Sequence, residues 1–199
     1  MKRVLIFSLA YYPHVGGAEV AIKEVTDRVR DIEFHLVTQR FSPADAREEE
    51  IGNVRVHRIG NGPGKLSKFF YQFGAARKGR QLHQQQPFDA VWAMMAHSAG
   101  VPAALFKMSH PDVPYILSLQ EGDPIPHIER TMLPLWPLFT RAFTKATIIL
   151  PLSNYLARWA RTRHFKGPIE IMPNGVSVND FSGAPIPHDD TILITTSRL

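Results

Sequence analysis

Three short stretches of this 199-residue chain combine residue types that bind or move charge. The first is Tyr11-Tyr12-Pro13-His14-Val15-Gly16-Gly17-Ala18-Glu19. Adjacent glycines let a backbone turn tightly and approach a ligand with no Cβ in the way. A helix that opens at such a loop presents free amides and the positive end of its dipole to an anion. Gly16, Gly17 and Glu19 are therefore candidates for contact with a phosphate or a sugar, although a plain strand-to-helix turn would account for one of the glycines. The second stretch is Gln120-Glu121-Gly122-Asp123-Pro124. Its two carboxylates and amide could bind sugar hydroxyls or hold a proton. Gly-Asp-Pro is also a good turn sequence in its own right, and the pattern does not separate the two readings. The third is Ile171-Met172-Pro173-Asn174-Gly175-Val176, whose Asn-Gly pair suits a hairpin or left-handed turn on structural grounds alone.

Other chemistries are excluded. The chain has no cysteine, which removes disulfides, thiolate metal sites, iron–sulfur clusters and cysteine nucleophiles. Nine histidines are scattered without HExxH or a comparable spacing, so no metal site is expected. His97 reads as a hydrogen-bonded core or helix-capping residue. Ser8, Ser118 and Ser153 lie in no nucleophile elbow. The glycine loop is neither a Walker loop, since no Gly-Lys-Ser/Thr follows, nor a Gly-x-Gly-x-x-Gly fingerprint.

The elements that must position these stretches alternate. Short aliphatic runs at residues 3–9, 33–38, 54–59, 88–93, 115–119, 147–152 and 169–172 predict strands. Most are continuous apolar runs, as in a parallel sheet covered on both faces, whereas 54–59 alternates and belongs nearer an edge. Helical patterns occupy residues 18–29, 66–84, 97–108 and 153–164. In the first of these Ala18, Ile22, Val25 and Val29 share a face. The order predicts an α/β fold with a doubly wound, mostly parallel sheet and helices on both faces. In such sheets ligands bind at the carboxyl ends of the strands, where the glycine loop and the 120–124 loop fall. Residues 1–182 read as one domain. Residues 183–199 read as a Pro-rich connector and a fresh strand at 191–196, the start of a further domain.

Charge is polarised. The chain carries 23 basic and 18 acidic residues, net +5, yet residues 53–88 hold seven basic residues and no acid, and residues 130–169 repeat that pattern. A polyanionic partner or a solvated basic face would each explain this. On a helix, Leu66, Phe69, Phe70 and Phe73 share a face near Lys65, Lys68, Arg77, Lys78 and Arg80. That face either packs on the domain's own sheet or meets an anionic membrane surface. No apolar run approaches the ~20 residues of a membrane span. The N-terminal run reads as a buried strand, because it breaks at Tyr12-Pro13 without a signal-peptide cleavage site. No nucleic-acid-binding motif is present, so no nucleic-acid partner is expected.

Taken in order, these pieces resemble the N-terminal half of a retaining glycosyltransferase of family 4, with the GT-B architecture. The resemblance rests on Tyr12-Pro13-x-x-Gly16-Gly17-Ala18-Glu19, on Pro114 through Asp123, on Ile149-Leu150-Pro151-Leu152-Ser153-Asn154, and on Met172-Pro173-Asn174-Gly175-Val176 with Phe181 downstream. Thr196-Ser197-Arg198-Leu199 is similar to the opening of that family's second domain. Many relatives have His where Gln120 stands.

The resemblance implies transfer of a sugar from a nucleotide-diphosphate sugar to an acceptor hydroxyl, on a sugar, glycan or lipid-linked acceptor, without a metal or a tightly bound cofactor. It implies that Gly16, Gly17, Glu19, Asn174, Gly175 and Arg198 serve the donor, and that Gln120, Glu121 and Asp123 act at the reacting centre. It further implies a cytoplasmic protein, peripheral at the inner face of a membrane, and little activity from these 199 residues alone. Two other readings remain open at this level: a nonenzymatic phosphate- or nucleotide-binding module, and a GT-B nucleotide-sugar epimerase.

Overall fold

The computed structural model describes residues 1–178 together with residues 183 and 191. Arg198, Phe181, most of the connector and the strand expected at 191–196 lie outside the described residues, and so does the division expected at residue 182.

The strands are β1 (Lys2–Phe7), β2 (Ile32–Gln39), β3 (Glu48–Ile51), β4 (Val54–Ile59), β5 (Ala90–Met94), β6 (Tyr115–Leu119) and β7 (Ile148–Pro151). They form one seven-stranded sheet in the order β3-β4-β2-β1-β5-β6-β7. All neighbours are parallel except β3, which runs antiparallel to β4 at one edge. The helices are α1 (Gly17–Arg28), α2 (Lys65–Gln85), α3 (Val101–Ser109), α4 (Ile125–Met132), α5 (Trp136–Thr144) and α6 (Asn154–Thr162).

Handedness distributes the helices over the two faces. The β1–α1–β2 crossover moves one way along the sheet, while the crossovers from β4 to β5, β5 to β6 and β6 to β7 move the other way. Because such crossovers are right-handed, α1 covers one face and α2, α3 and α5 the opposite one. Two cores result. Ile6, Ile22, Leu36 and Val56 pack under α1, whereas Leu5, Phe7, Ala75, Phe106, Leu117 and Phe143 form the larger core.

Four expectations change. Helix α1 buries Thr26 in place of Val25, which is 47% exposed. Thr26 suits an apolar surface because its hydroxyl donates to the Ile22 carbonyl at 2.9 Å. The helix expected at 97–108 opens with a π-helical turn, Ala96–Gly100, before α3 begins. The strand expected at 169–172 is reduced to one bridge, Ile169 to Ile149. Glu170 N–H donates to Ile149 O and Met172 N–H to Pro151 O, but Pro151 has no N–H to return a bond to the carbonyl of Glu170. Finally, β3, α4 and α5 come unannounced. Strand β3 begins with three glutamates, a poor strand sequence. It is held by cross-strand pairs, Glu48 with His57 at 3.1 Å and Glu50 with Arg55 at 3.2 Å. At its turn Gly52 has φ +58°, and a Cβ there would lie 2.2 Å from Asp27 Oδ1.

A polar chain crosses the sheet near this edge. The His35 and His57 rings stack with centroids 5.2 Å apart, and Nδ1 of the first lies 3.0 Å from Nε2 of the second. Glu33 lies 2.6 Å from His35 Nε2, and Glu48 completes the far end. Burial lowers the pKa of both histidines, against which the carboxylates act in the opposite sense. Hydrogen bonds from Arg3 and then His35 pull Glu33 down to about 2. A group with a depressed folded pKa is stabilising above its unfolded value and loses that contribution as pH falls. Stability should therefore drop as pH falls below 6.5, when the unfolded chain takes up the histidine protons first. It should drop again from 4.5 toward 2 through Glu33. Urea denaturation across pH should show the upper slope, at most about 1.4 kcal/mol per pH unit for each proton. His35→Gln should shallow it, and an unchanged slope in that variant would remove the pair as its source.

Candidate functional site

The strand order reverses direction between β1 and β5, the place where an open parallel sheet leaves a crevice at its carboxyl edge. The glycine loop leaves β1 on one side of that point. The turn after β5 and the loop after β6 lie on the other.

Gly16 is the N-cap of α1, and its own N–H donates to Glu19 Oε2 at 2.7 Å. Glu19 is buried by this arrangement. Its carboxylate sits at the positive end of α1, which stabilises the helix. This changes the reading of two residues: the Gly16 amide is taken and the Glu19 carboxylate is spent on the cap. What the loop offers a ligand is the amides of Gly17 and Ala18, which begin the helix and have no intrahelical carbonyl to meet. Space beside Gly17 is open, since a Cβ there would meet nothing within 4 Å. The loop is braced from beneath by Arg58 of β4. This buried guanidinium donates to the carbonyls of Tyr12 and of Ala46, and pairs with Glu49.

Across the switch point, β5 ends in a backbone held in an unfavourable conformation. Met95 has φ +69°, a left-handed value for a side-chain-bearing residue. Such a conformation costs on the order of 1–3 kcal/mol and persists only where its surroundings enforce it. Here Met95 N–H donates to Ser118 O at 2.9 Å, Ala99 N–H to Met95 O at 3.1 Å, and Ala96 N–H to Glu121 Oε1 at 2.5 Å. The Glu121 carboxylate is 0% exposed and lies 3.7 Å from His97 Nδ1. The sequence suggests Glu121 for contact with a sugar hydroxyl; in the structure its side chain points inward and holds the β5 turn.

Gln120, Gly122 and Asp123 keep polar groups at the surface, Asp123 standing just before Pro124, the N-cap of α4. Gln120 and Asn174 exchange side-chain hydrogen bonds: Gln120 Nε2 donates to Asn174 Oδ1 at 2.9 Å, and Asn174 Nδ2 to Gln120 Oε1 at 3.3 Å. Two stretches 54 residues apart in sequence are thereby joined at the rim. Gly175 beside them is exposed, with nothing within 4 Å of its Cβ position. Ser153 is structural, its hydroxyl accepting from Leu156 N–H to cap α6. Among the described residues no group of three or more His, Asp or Glu side chains is placed to hold a metal ion.

Sequence reasoning missed the Met95–Ala96–His97 turn and the bracing role of Arg58. Nothing local marks Met95 for a left-handed backbone. Arg58 reads as one more surface cation until β4 is placed beside β2. The arrangement as a whole can receive an anion on the Gly17 and Ala18 amides, with neutral amides and one exposed carboxylate nearby.

Glu121→Ala leaves the buried Ala96 N–H without its acceptor beside a strained residue. It should lower unfolding free energy by about 1–3 kcal/mol. Glu121→Gln, which keeps an acceptor oxygen, should recover most of that loss. Urea melts of the three proteins decide this, and a Glu121→Ala protein as stable as the parent would mean that the carboxylate does not hold the turn.

Residues 16–175 match the model of a family described as "Glycosyl transferase 4-like domain". An uncharacterized glycosyltransferase of Methanocaldococcus jannaschii is 28% identical over 181 residues, covering 89% of this chain and 48% of its own length. The chain therefore spans about half the length of this curated relative. Among solved structures, the sucrose-phosphate synthase of Thermosynechococcus elongatus superposes with a TM-score of 0.67 at 10% identity, over 90% of this chain and 49% of that one. The E. coli trehalose-6-phosphate protein bound with UDP-2-fluoro glucose gives a TM-score of 0.59 at 12% identity, over 94% and 52%. At such low identity these likenesses speak for the fold, the α/β N-terminal half of a GT-B protein. With the family match over most of its length, this chain belongs to the glycosyl transferase 4-like family and is a glycosyltransferase domain of the GT-B type.

Proposed function

We propose that the intact protein transfers a sugar from a nucleotide-diphosphate sugar to an acceptor hydroxyl with retention of anomeric configuration, and that this chain is its acceptor-side half. The observation that carries the reading is the pair of unpartnered helix-start amides, Gly17 and Ala18, at the topological switch point. A departing diphosphate accumulates negative charge as the sugar–oxygen bond breaks. Preoriented amides stabilise that charge without reorganising. Arg198, outside the described residues, is the basic side chain that the family resemblance assigns to the donor. Gln120 and Asn174, locked together, present a fixed amide surface to the donor, with Gly175 beside them allowing close approach. Asp123 is the exposed carboxylate available to orient hydroxyls of the sugar or acceptor. Glu121 acts on this site only through the turn that it holds. Catalysis then comes largely from placement of two substrates across a cleft, with no covalent nucleophile. A sugar, glycan or lipid-linked hydroxyl is the acceptor class, and the cytoplasm, where nucleotide sugars are made, is the compartment.

The test uses the protein expressed from its full coding sequence, a panel of nucleotide-diphosphate sugars, and acceptors of these classes. Release of nucleoside diphosphate that depends on acceptor, with product anomers assigned by NMR, is the expected result. Free epimerised nucleotide sugar formed without acceptor would replace transfer by epimerisation. Gly17→Val places a side chain over the free amides where the fold has room for it. It should reduce turnover by about 100-fold, the scale of losing one preoriented donor, while the melting temperature stays within a few degrees. Near-normal turnover in that variant would remove the anion-site reading of the loop.

A further inference from the structure

The turn after β5 gathers polar atoms that the fold leaves unsatisfied. Glu121 Oε1 accepts from Ala96 N–H, yet its other oxygen, Oε2, is buried with no partner. Nδ1 of His97 is likewise buried without a partner, 3.7 Å from Glu121 Oε1. The Tyr115 hydroxyl is a third such atom and lies beneath the same turn, since a Cβ on Gly100 would stand 3.6 Å from it. Burial first, and then the charge of Glu121, raise the pKa of Tyr115. Polar atoms buried without partners are rare in folded proteins, and strained backbone of the Met95 kind gathers at functional sites. The turn is nevertheless held firmly. Gln72 of α2 donates through Nε2 to Ser98 O at 3.3 Å and to His97 O at 3.5 Å. Residues 96–100 form a π-helical turn, a departure that recurs at functional sites. What this clamp positions is His97. Its side chain is 27% exposed, whereas that of Glu121 is fully enclosed. Because Nδ1 is on the enclosed side, the exposed side of the ring carries Nε2, which bonds nothing among the described residues. The expectation of a hydrogen-bonded core or capping role for His97 is therefore not met. The residue stands just past the carboxyl end of β5, across the switch point from the glycine loop.

We propose that His97 binds substrate in this site: with Nδ1–H turned toward the Glu121 carboxylate, its Nε2 accepts a hydrogen bond from a hydroxyl of the transferred sugar or of the acceptor. A carboxylate beside one nitrogen of an imidazole keeps the proton on that nitrogen and orients the ring. The other nitrogen of the neutral ring is then an acceptor with no proton to offer. It complements a hydroxyl and not a phosphate oxygen. The crevice thus divides its work, with the Gly17 and Ala18 amides for an anion and His97 for a hydroxyl. At 3.7 Å the His97–Glu121 pair is longer than a hydrogen bond, and such bonds commonly shorten when substrate binds. Glu121 remains a positioning residue, acting through the turn and the ring that the turn carries. The bearer of the hydroxyl is inferred on the glycosyl-transfer reading; the pairing of His97 with Glu121 does not depend on it.

Two measurements test this. Nitrogen NMR of the histidine-labelled 199-residue chain, at about pH 8.5 and so well above the ordinary imidazole pKa, reports the tautomer. His97, assigned by the signal missing from His97→Gln, should carry its proton on Nδ1, and a proton on Nε2 would overturn the pairing. The protein expressed from its full coding sequence is then assayed with nucleotide-diphosphate sugars and acceptors, and with analogues of each that lack a single hydroxyl. His97→Ala should lower kcat/KM by about tenfold, the scale of one hydrogen bond. His97→Gln, whose side-chain oxygen can reach the place of Nε2, should recover most of that loss, and the shorter His97→Asn should not. For one analogue, the penalty measured with the parent should vanish in His97→Ala. Whether that analogue is a donor or an acceptor identifies which substrate bears the hydroxyl. Urea melts of His97→Ala should match the parent, because its ring bonds nothing among the described residues. An active parent with an equally active His97→Ala would overturn the inference and leave the transfer reading standing. A parent that releases no nucleoside diphosphate with any pair would remove the transfer reading itself, and the hydroxyl with it.

Discussion

Parallel pairing from β4 through β7 decides where everything else in this domain can be. Each parallel crossover returns the chain to the same end of the sheet, so the strands from β4 to β7 deliver their carboxyl ends to one edge. Right-handedness then fixes the face of each helix. The reversal at β1 keeps the connections from crossing over that edge between β1 and β5. A loop leaving β1 there leads into α1, whose N-terminus lies at the same edge of the sheet.

Around that gap, the domain uses charge for support more than for display. Glu19, Glu121 and Arg58 come from stretches whose sequences suggest ligand binding or a basic surface, yet all three turn inward. Each satisfies backbone groups that would otherwise be left unpaired: the Gly16 amide, the Ala96 amide, and the carbonyls of Tyr12 and Ala46. An unsatisfied buried amide costs about 1–3 kcal/mol, more than a typical hydrogen bond contributes net. Loops that must hold unusual backbones at a sheet edge therefore recruit such partners. The consequence is a rim whose exposed polar groups are mostly neutral amides, with Asp123 as the exposed acid of the β6 loop.

Helix α2 shows the opposite balance. Its small inner residues allow close approach to the sheet, and Gly79 lies so near Phe7 that a Cβ would stand 2.7 Å from the ring. With small residues inside, the large apolar side chains of its first turns are left outside. Nothing in the described fold covers them.

The sequence by itself determined the class of fold and the edge on which a site must lie. Short apolar runs such as Val4–Phe7 and Tyr115–Leu119, bounded by turn residues, read as strands covered on both faces. Gly16-Gly17, in the loop that follows the first of them, read as a helix start at that edge. Periodicity also recovered α2 to within a residue at either end, because a long helix averages out local ambiguity. Three things were decided by tertiary structure. Strand β3 exists because Arg55, His57 and Lys78 offset a glutamate run that has no strand propensity of its own. The left-handed Met95 exists because Ser118 and Glu121, remote in sequence, bond its flanking amides. Gln120 and Asn174 became one surface only when β6 and the segment after Pro173 were laid side by side. In each case the deciding partner lies five or more residues away along the chain. Local pattern registers which residues can face a core; it carries no information about which polar group will find which partner once the strands are in register.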